Sequence, residues 1–171
     1  IMLRNVPMPF RTIYVPGVEL ITNPSWDYKL DRIAKEISRA DLGTISGIPT
    51  WHLAVLSKIK NEIHFDKLTG LWKNLQVFFH GGVSFEPYRK QFNELIGKEG
   101  FIFYEVYNAT EGFFGVQATL QPGDLLLLTD CGVFYEFIPF SSYGNENVKP
   151  IPLQEVKAEV PYVILVTTHS G

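Results

Sequence analysis

The stretch LQVFFHGGVSFEPYRKQFNELIGKEGFIFYEV, Leu75 to Val106, limits the possible folds more than any other part of the chain. Leu75 to Phe79 is a short apolar run bounded by Asn74 and by His80-Gly81-Gly82, which predicts a buried strand. Ser84 stands where an N-cap would stand, before a helix whose Phe85, Tyr88, Phe92, Leu95 and Ile96 share an apolar face. Pro87 is tolerated in its first turn, and Gly97 to Gly100 ends it. Phe101 to Val106 reads as a second strand. Strand, helix and strand in succession form a crossover, which places two parallel strands in one sheet. An α/β fold is therefore expected.

The flanking segments add to that sheet. The Pro-containing start, through Pro16, reads as extended or loop structure. From Pro24, the residues Trp26, Leu30, Ile33 and Ile37 recur at helical spacing, with Gly43 after the end, and Thr44 to Ile48 could form a short strand. Thr50 is the expected N-cap of a second helix with Trp51, Val55, Leu56, Ile59 and Ile63 on its apolar stripe. Downstream, Leu125 to Leu128 and Val133 to Ile138, joined across TDCG, suggest an antiparallel hairpin, and Tyr162 to Thr168 a further strand. The expected whole is one domain over residues 1–171: a mixed, partly parallel sheet with flanking helices and an antiparallel hairpin near the C-terminal end.

Composition narrows the class of partner. With 171 residues and 46% hydrophobic content there is enough apolar surface for a packed core. A net charge of -3 without a Lys/Arg stripe argues against a nucleic-acid polymer as partner. One cysteine, Cys131, excludes an intramolecular disulfide and fits a reducing compartment, so a cytoplasmic location is expected. No apolar run approaches the roughly 18 residues of a membrane-spanning helix, and IMLRNVPMPF lacks the order of a signal peptide. Because the chain starts without Met and stops just after the apolar run YVILVTT, it is expected to be a piece of a longer protein. Aromatic surface left uncovered in such a piece would favour self-association.

Two turns could carry chemistry. In HGGVSFEPY, two glycines admit close approach to the backbone and the following helix offers free N–H groups; a tight turn needing positive φ explains the same spacing. In YNATEG, Tyr107 offers a ring for stacking, Thr110 a hydroxyl for phosphate oxygens and Glu111 a hard oxygen for Mg²⁺. An exposed turn in which Asn108 and Thr110 bond their own backbone is the competing explanation. Both turns follow predicted strand ends, the edge at which open α/β sheets bind ligands, so together they favour a small nucleotide. His52, His64, His80 and His169 show no paired metal-ligand spacing, Asp130 reads as a turn residue, and neither a G-x-S-x-G elbow nor a Walker loop is present.

The ordered series SGIPTW, LWKNLQVFFHGGVSFEPYRKQF, YNATEGFFG, GVFYEFIP and YVILVTTHSG resembles the plant auxin-responsive promoter family of acyl acid amido synthetases and its bacterial relatives, from about Trp26 to Gly171. This family belongs to the adenylate-forming superfamily. The resemblance implies part of that superfamily's large N-terminal domain, and an enzyme that activates a carboxylic acid with MgATP and passes the acyl group to an amine such as an amino acid. It implies an adenine pocket at Gly81, Gly82 and Val83. In the motif Tyr107, Asn108, Ala109, Thr110 and Glu111 it implies adenine stacking by Tyr107, phosphate contact by Thr110 and Mg²⁺ coordination by Glu111, with Thr110 and Glu111 as the catalytic pair. Trp51 and Phe113 would lie near the acyl pocket.

The departures also matter. The family's serine-glycine-threonine phosphate loop with its lysine is not found in the chain, and TISGIPTW, without a lysine, does not replace it. The aspartate that holds the ribose in the family, and its C-terminal domain, are expected beyond Gly171. The isolated chain is therefore expected to be inactive. An acid–thiol ligase using coenzyme A, or a non-catalytic binding module with the same fold, would share much of this pattern.

Overall fold

The computed structural model describes Pro7, residues 13–121 and residues 123–169. The extended start expected through Pro16 lies mostly outside those residues, as do Ser170 and Gly171. Two compact units meet between Glu105 and Val106 in the chain. The first contains the helices α1 (Val18–Ile21), α2 (Trp26–Ile37), α3 (Pro49–Glu62), α4 (Leu68–Leu71) and α5 (Glu86–Ile96). Its strands are β1 (Thr44–Gly47), β2 (Val77–His80) and the first half of β3 (Ile102–Ala109). The crossover expected from the sequence is present: β2 pairs in parallel with β3, with α5 between them in the chain, and β1 pairs in parallel with β2 on the other side.

The residues named from periodicity mostly form the core, while the helix starts differ. Phe78, Phe85, Phe92 and Ile96 are buried together with Leu56, Ile59, Leu68, Trp72 and Leu75. Helix α2 starts at Trp26 with Ser25 at the cap position, without a side-chain cap bond, rather than beginning at Pro24, and α3 starts at Pro49 with Ile48 at the cap, so Thr50 lies inside the first turn. Proline has no N–H to satisfy and its fixed φ suits that first turn, which is why the helix begins one residue before the expected cap. Trp51 lies about 140° around the helix from Leu56 and is not on the buried stripe. Ser84 does not cap α5 either; the chain is already helical at Phe85 (φ -84°, ψ -23°), with no side-chain cap.

Helix ends buried near the core need partners for their last carbonyls, and side chains supply them. The Trp72 indole donates to the Ile37 carbonyl at 2.9 Å, closing α2. Lys67 Nζ and the Thr69 hydroxyl donate to the Glu94 and Ile96 carbonyls at 2.7 and 3.1 Å, closing α5. Gly97 then turns left-handed (φ 63°, ψ 34°), and a Cβ there would stand 2.6 Å from the Lys67 side chain.

The second unit is antiparallel. The latter half of β3 pairs with β4 (Gly112–Gln117), and β4 with β5 (Leu125–Leu127), completing a mixed sheet in the order β1-β2-β3-β4-β5. Strands β6 (Val133–Pro139), β7 (Ile151–Pro152) and β8 (Tyr162–Thr168) make a separate antiparallel sheet, ordered β7-β6-β8. The strand expected at Tyr162 to Thr168 is thus β8. The expected hairpin between Leu125 to Leu128 and Val133 to Ile138 does not form: β5 pairs with β4, and β6 pairs along its whole length with β8. Seven paired positions with apolar neighbours on one face outweigh what a three-residue strand could offer β6. Phe114, Tyr135 and Phe137 are the buried centre of this unit, and the Tyr135 hydroxyl donates to the Leu128 carbonyl at 3.0 Å. Among the described residues no helix is long and apolar enough to cross a membrane.

Candidate functional site

The motif YNATEG is not a six-residue turn. Tyr107, Asn108 and Ala109 belong to β3, and the turn is two residues, Thr110 and Glu111, between the paired Ala109 and Gly112. Tyr107 lies opposite Gly115 and Asn108 opposite Phe113, so β4 carries one extra residue, Phe114, at this bulge. Bulges of this kind re-aim neighbouring side chains. Here Phe114 turns inward to the unit's core while Phe113 stays 41% exposed.

Tyr107 gains its setting from the same bulge. Glycine at position 115 places no side chain beside it, while the Phe114 ring meets it edge-on, with centroids 5.3 Å apart and planes at 62°. The Tyr107 ring is 46% exposed, so it is braced from one side and open to a stacking partner. Thr110 and Glu111 are exposed at the tip. Among the described residues no hydrogen bond or ion pair engages the Glu111 carboxylate, which points to water.

The fit to a magnesium ion follows from that isolation. Among the described residues no group of three or more His, Cys, Asp or Glu could hold a metal. Mg²⁺, however, commonly takes one or two protein carboxylates and completes its shell with water and substrate phosphates. Glu111 fits that single-carboxylate role, with the Thr110 hydroxyl next to it in the chain.

In the first unit, the glycine pair follows β2. Gly82 has φ +79°, and a Cβ there would approach Ile48 Cγ1 at 3.3 Å, so this position demands glycine for conformation and for space. Gly81 is buried and Val83 exposed. Trp51, also in this unit, is 51% exposed and meets Trp26 edge-on at 4.5 Å between centroids, with Lys29 Nζ 5.7 Å from the Trp26 ring centre. Gly81, Gly82, Val83 and Trp51 therefore belong to one unit, and Tyr107 to Glu111 with Phe113 to the other.

His80 has no paired ligand spacing in the sequence, and what sets it apart is its place in the fold. It ends β2, is 1% exposed, and neither ring nitrogen has a hydrogen-bond partner. Burial, reinforced by the Arg89 charge and opposed by Glu86, lowers its pKa to about 4. Searching for paired metal-ligand spacing could not reveal it, because its significance comes from burial; the available signal was a histidine on the same strand face as Phe78, two residues earlier. His52 is also pushed down by burial, but its Nδ1 lies 3.1 Å from the Ile48 carbonyl.

Residues 20–101 match the GH3 family N-terminal domain, and residues 126–171 match the GH3 family central domain. GH3 family sequence is present in both units. This is the auxin-responsive family of acyl acid amido synthetases, adenylating enzymes that use ATP. The Tyr107–Glu111 hairpin lies in the interval between the two GH3 matches. One similar solved structure, "Crystal structure of CmiS6", is 18% identical, with a TM-score of 0.44, and the similarity covers 83% of this chain and 31% of that one. The chain thus spans about a third of that protein's length. No curated protein matches the sequence.

Proposed function

We propose that this GH3 chain is the base- and metal-binding part of an ATP-dependent acyl acid amido synthetase. The observation that carries the reading is the β3–β4 hairpin, which sets a braced, open tyrosine ring and an unengaged carboxylate four residues apart in a segment flanked by GH3 sequence on both sides. Tyr107 stacks on adenine, Asn108 and Ala109 carry the backbone past the nucleotide, Thr110 reaches a phosphate oxygen, and Glu111 holds Mg²⁺.

In the reaction so assigned, the carboxylate of the acid attacks the α-phosphorus of ATP and pyrophosphate leaves. The amine then attacks the acyl carbonyl and AMP leaves. Charge that develops on phosphate oxygens needs fixed donors, and the Thr110 hydroxyl is the one this hairpin supplies. The sequence holds no serine-glycine-threonine run followed by lysine, so the 171-residue chain is assigned nucleotide and metal binding without turnover. Calorimetric titration with ATP, with and without Mg²⁺, tests this. Saturable binding that Mg²⁺ tightens is expected, together with no ATP–pyrophosphate exchange for any of a panel of carboxylic acids. Failure to bind ATP in either condition would remove the nucleotide reading, and robust exchange would show that a second phosphate-binding element exists.

A further inference from the structure

Within the second unit, the loop from β5 to β6 is pinned at both ends. At its start the Leu128 N–H donates to the Phe114 carbonyl at 2.8 Å, and the Leu128 carbonyl accepts from the Tyr135 hydroxyl at 3.0 Å. At its end Val133 opens β6, paired with Thr168 of β8. Between these anchors the loop frames an open cleft of about 530 Å³, lined by Thr129 and Asp130 from the loop and by Val133, Phe134, Thr167 and His169 from β6, β8 and the residue that follows β8.

The chemistry of this cleft has one sign. Phe134 pairs with Thr167 across the strands, so their side chains share a face, and the phenylalanine is 61% exposed. Asp130 is exposed as well, and among the described residues no cation pairs with it. Its neighbour in the chain, Cys131, donates its thiol to Oδ1 at 3.8 Å. A carboxylate and an open aromatic ring both attract a cation, the first by charge-assisted hydrogen bonds and the second through the negative face of the ring. The Thr129 and Thr167 hydroxyls offer acceptors for further N–H groups. Among the described residues no Lys or Arg lines the cleft, so a carboxylate entering it would meet Asp130 with neither of those cations to hold it.

The cleft also adjoins the hairpin without leaving this unit. Gly112, the residue after Glu111, lies so close to Val133 that a Cβ on it would stand 3.6 Å from Val133 Cγ2. Val133 therefore borders both places. We propose that the cleft binds the ammonium group of the acceptor amine through Asp130 and the Phe134 ring, and selects amines that carry no carboxylate. Naming it the acceptor site rests on the nucleotide reading of the hairpin; ammonium binding in the cleft does not. An amine with an apolar or aromatic body suits Phe134 and Val133, whereas an amino acid brings a carboxylate that Asp130 repels.

The test titrates the ¹⁵N-labelled 171-residue chain with phenethylamine, phenylalanine and phenylpropionate, which carry the same ring and differ in charge. Phenethylamine should shift the amides of Asp130, Phe134 and Thr167 saturably, phenylalanine should bind at least about threefold more weakly, and phenylpropionate should shift none of them. Asp130→Asn, at an exposed position, should leave the Tm unchanged and weaken phenethylamine at least about threefold, while Phe134→Tyr, which keeps an aromatic face, should bind it like the native chain. Phenylalanine binding as tightly as phenethylamine would overturn the selection against carboxylates. Unchanged phenethylamine affinity in Asp130→Asn, or no shift in the cleft, would overturn the site itself, and MgATP shifts at Tyr107 in the same sample would show that the hairpin reading still stands. If phenethylamine bound in the cleft while MgATP moved nothing at Tyr107, the nucleotide reading would fall and the acceptor assignment with it.

Discussion

The two strand ends that carry the candidate chemistry are built in opposite ways. At the end of β2, His80 and Gly81 are buried against a core that includes Trp72, Phe78, Phe85 and Phe92, and the polar group there has no partner. After β3, Thr110 and Glu111 stand in water on a two-residue turn, above a smaller cluster centred on Phe114, Tyr135 and Phe137. A polar group that water can satisfy costs little, whereas one shut away from water destabilises the fold until something binds it. Changes at the first strand end should therefore register in stability, and changes at the second in ligand binding.

The largest effect that this contrast predicts is in the core beneath β2. Phe92→Ala should cost about 3–5 kcal/mol in urea denaturation, because it removes a fully buried ring from a close-packed cluster. Phe113→Ala, on the exposed side of the β4 bulge, should cost under about 1 kcal/mol. Equal losses would erase the distinction.

The next effect is acid sensitivity. The folded-state pKa of His80 is depressed from 6.5 to about 4, so between those values the unfolded chain binds a proton that the folded chain does not. The contribution of the neutral ring is full above about pH 6.5, is lost as pH falls toward about 4, and amounts to roughly 3 kcal/mol at most. Asp31 and Glu86 are lowered by their partners Lys58 and Arg89, so what they contribute is lost only below the ordinary carboxylate range. Denaturation midpoints across pH 4 to 7 should therefore slope in the native chain and flatten in His80→Phe. A slope unchanged by that substitution would assign the acid sensitivity elsewhere, with His52 the next group to test.

A smaller loss is expected at the end of α5. Gly97→Ala forces a side chain into the left-handed region and toward Lys67, at a cost of about 1–2 kcal/mol. Thermal unfolding of that variant with Lys67→Ala added separates the two causes, since only the contact with Lys67 would be relieved. The smallest stability effect belongs to the hairpin tip: Glu111→Gln should change stability by no more than about 0.5 kcal/mol, because the carboxylate bonds to nothing in the fold.

How much of this was legible in the sequence varied with the kind of information needed. Apolar spacing gave α2 and α5 to within a few residues, and the run Tyr162 to Thr168 matched β8 at both ends, because the hydrophobic pattern repeats the geometry directly. Helix starts were less legible: Thr50 and Ser84 have the right chemistry for a cap, but Ile48 and Phe85 take the cap positions. The partner of a strand is non-local information, so β5 and β6 read as a hairpin although each pairs elsewhere. In the site, the residue types Tyr107, Thr110 and Glu111 were visible as a motif, but the extra residue at Phe114 depends on register across two strands. His80 was invisible because the absence of a partner is a property of the packed structure.

The central claim is that the hairpin after β3 binds a magnesium nucleotide through one ring and one carboxylate. Its most direct test is a single titration series of MgATP into the native chain, Tyr107→Phe, Tyr107→Ala and Glu111→Gln. Losing one stacking contact, about 1–3 kcal/mol, should weaken binding of Tyr107→Ala roughly 5- to 150-fold, with Tyr107→Phe close to the native chain. Glu111→Gln should bind ATP equally with and without Mg²⁺, since a neutral amide is a poor ligand for a hard cation. If all four proteins bound MgATP alike, with the same dependence on Mg²⁺, the hairpin would not be the nucleotide site.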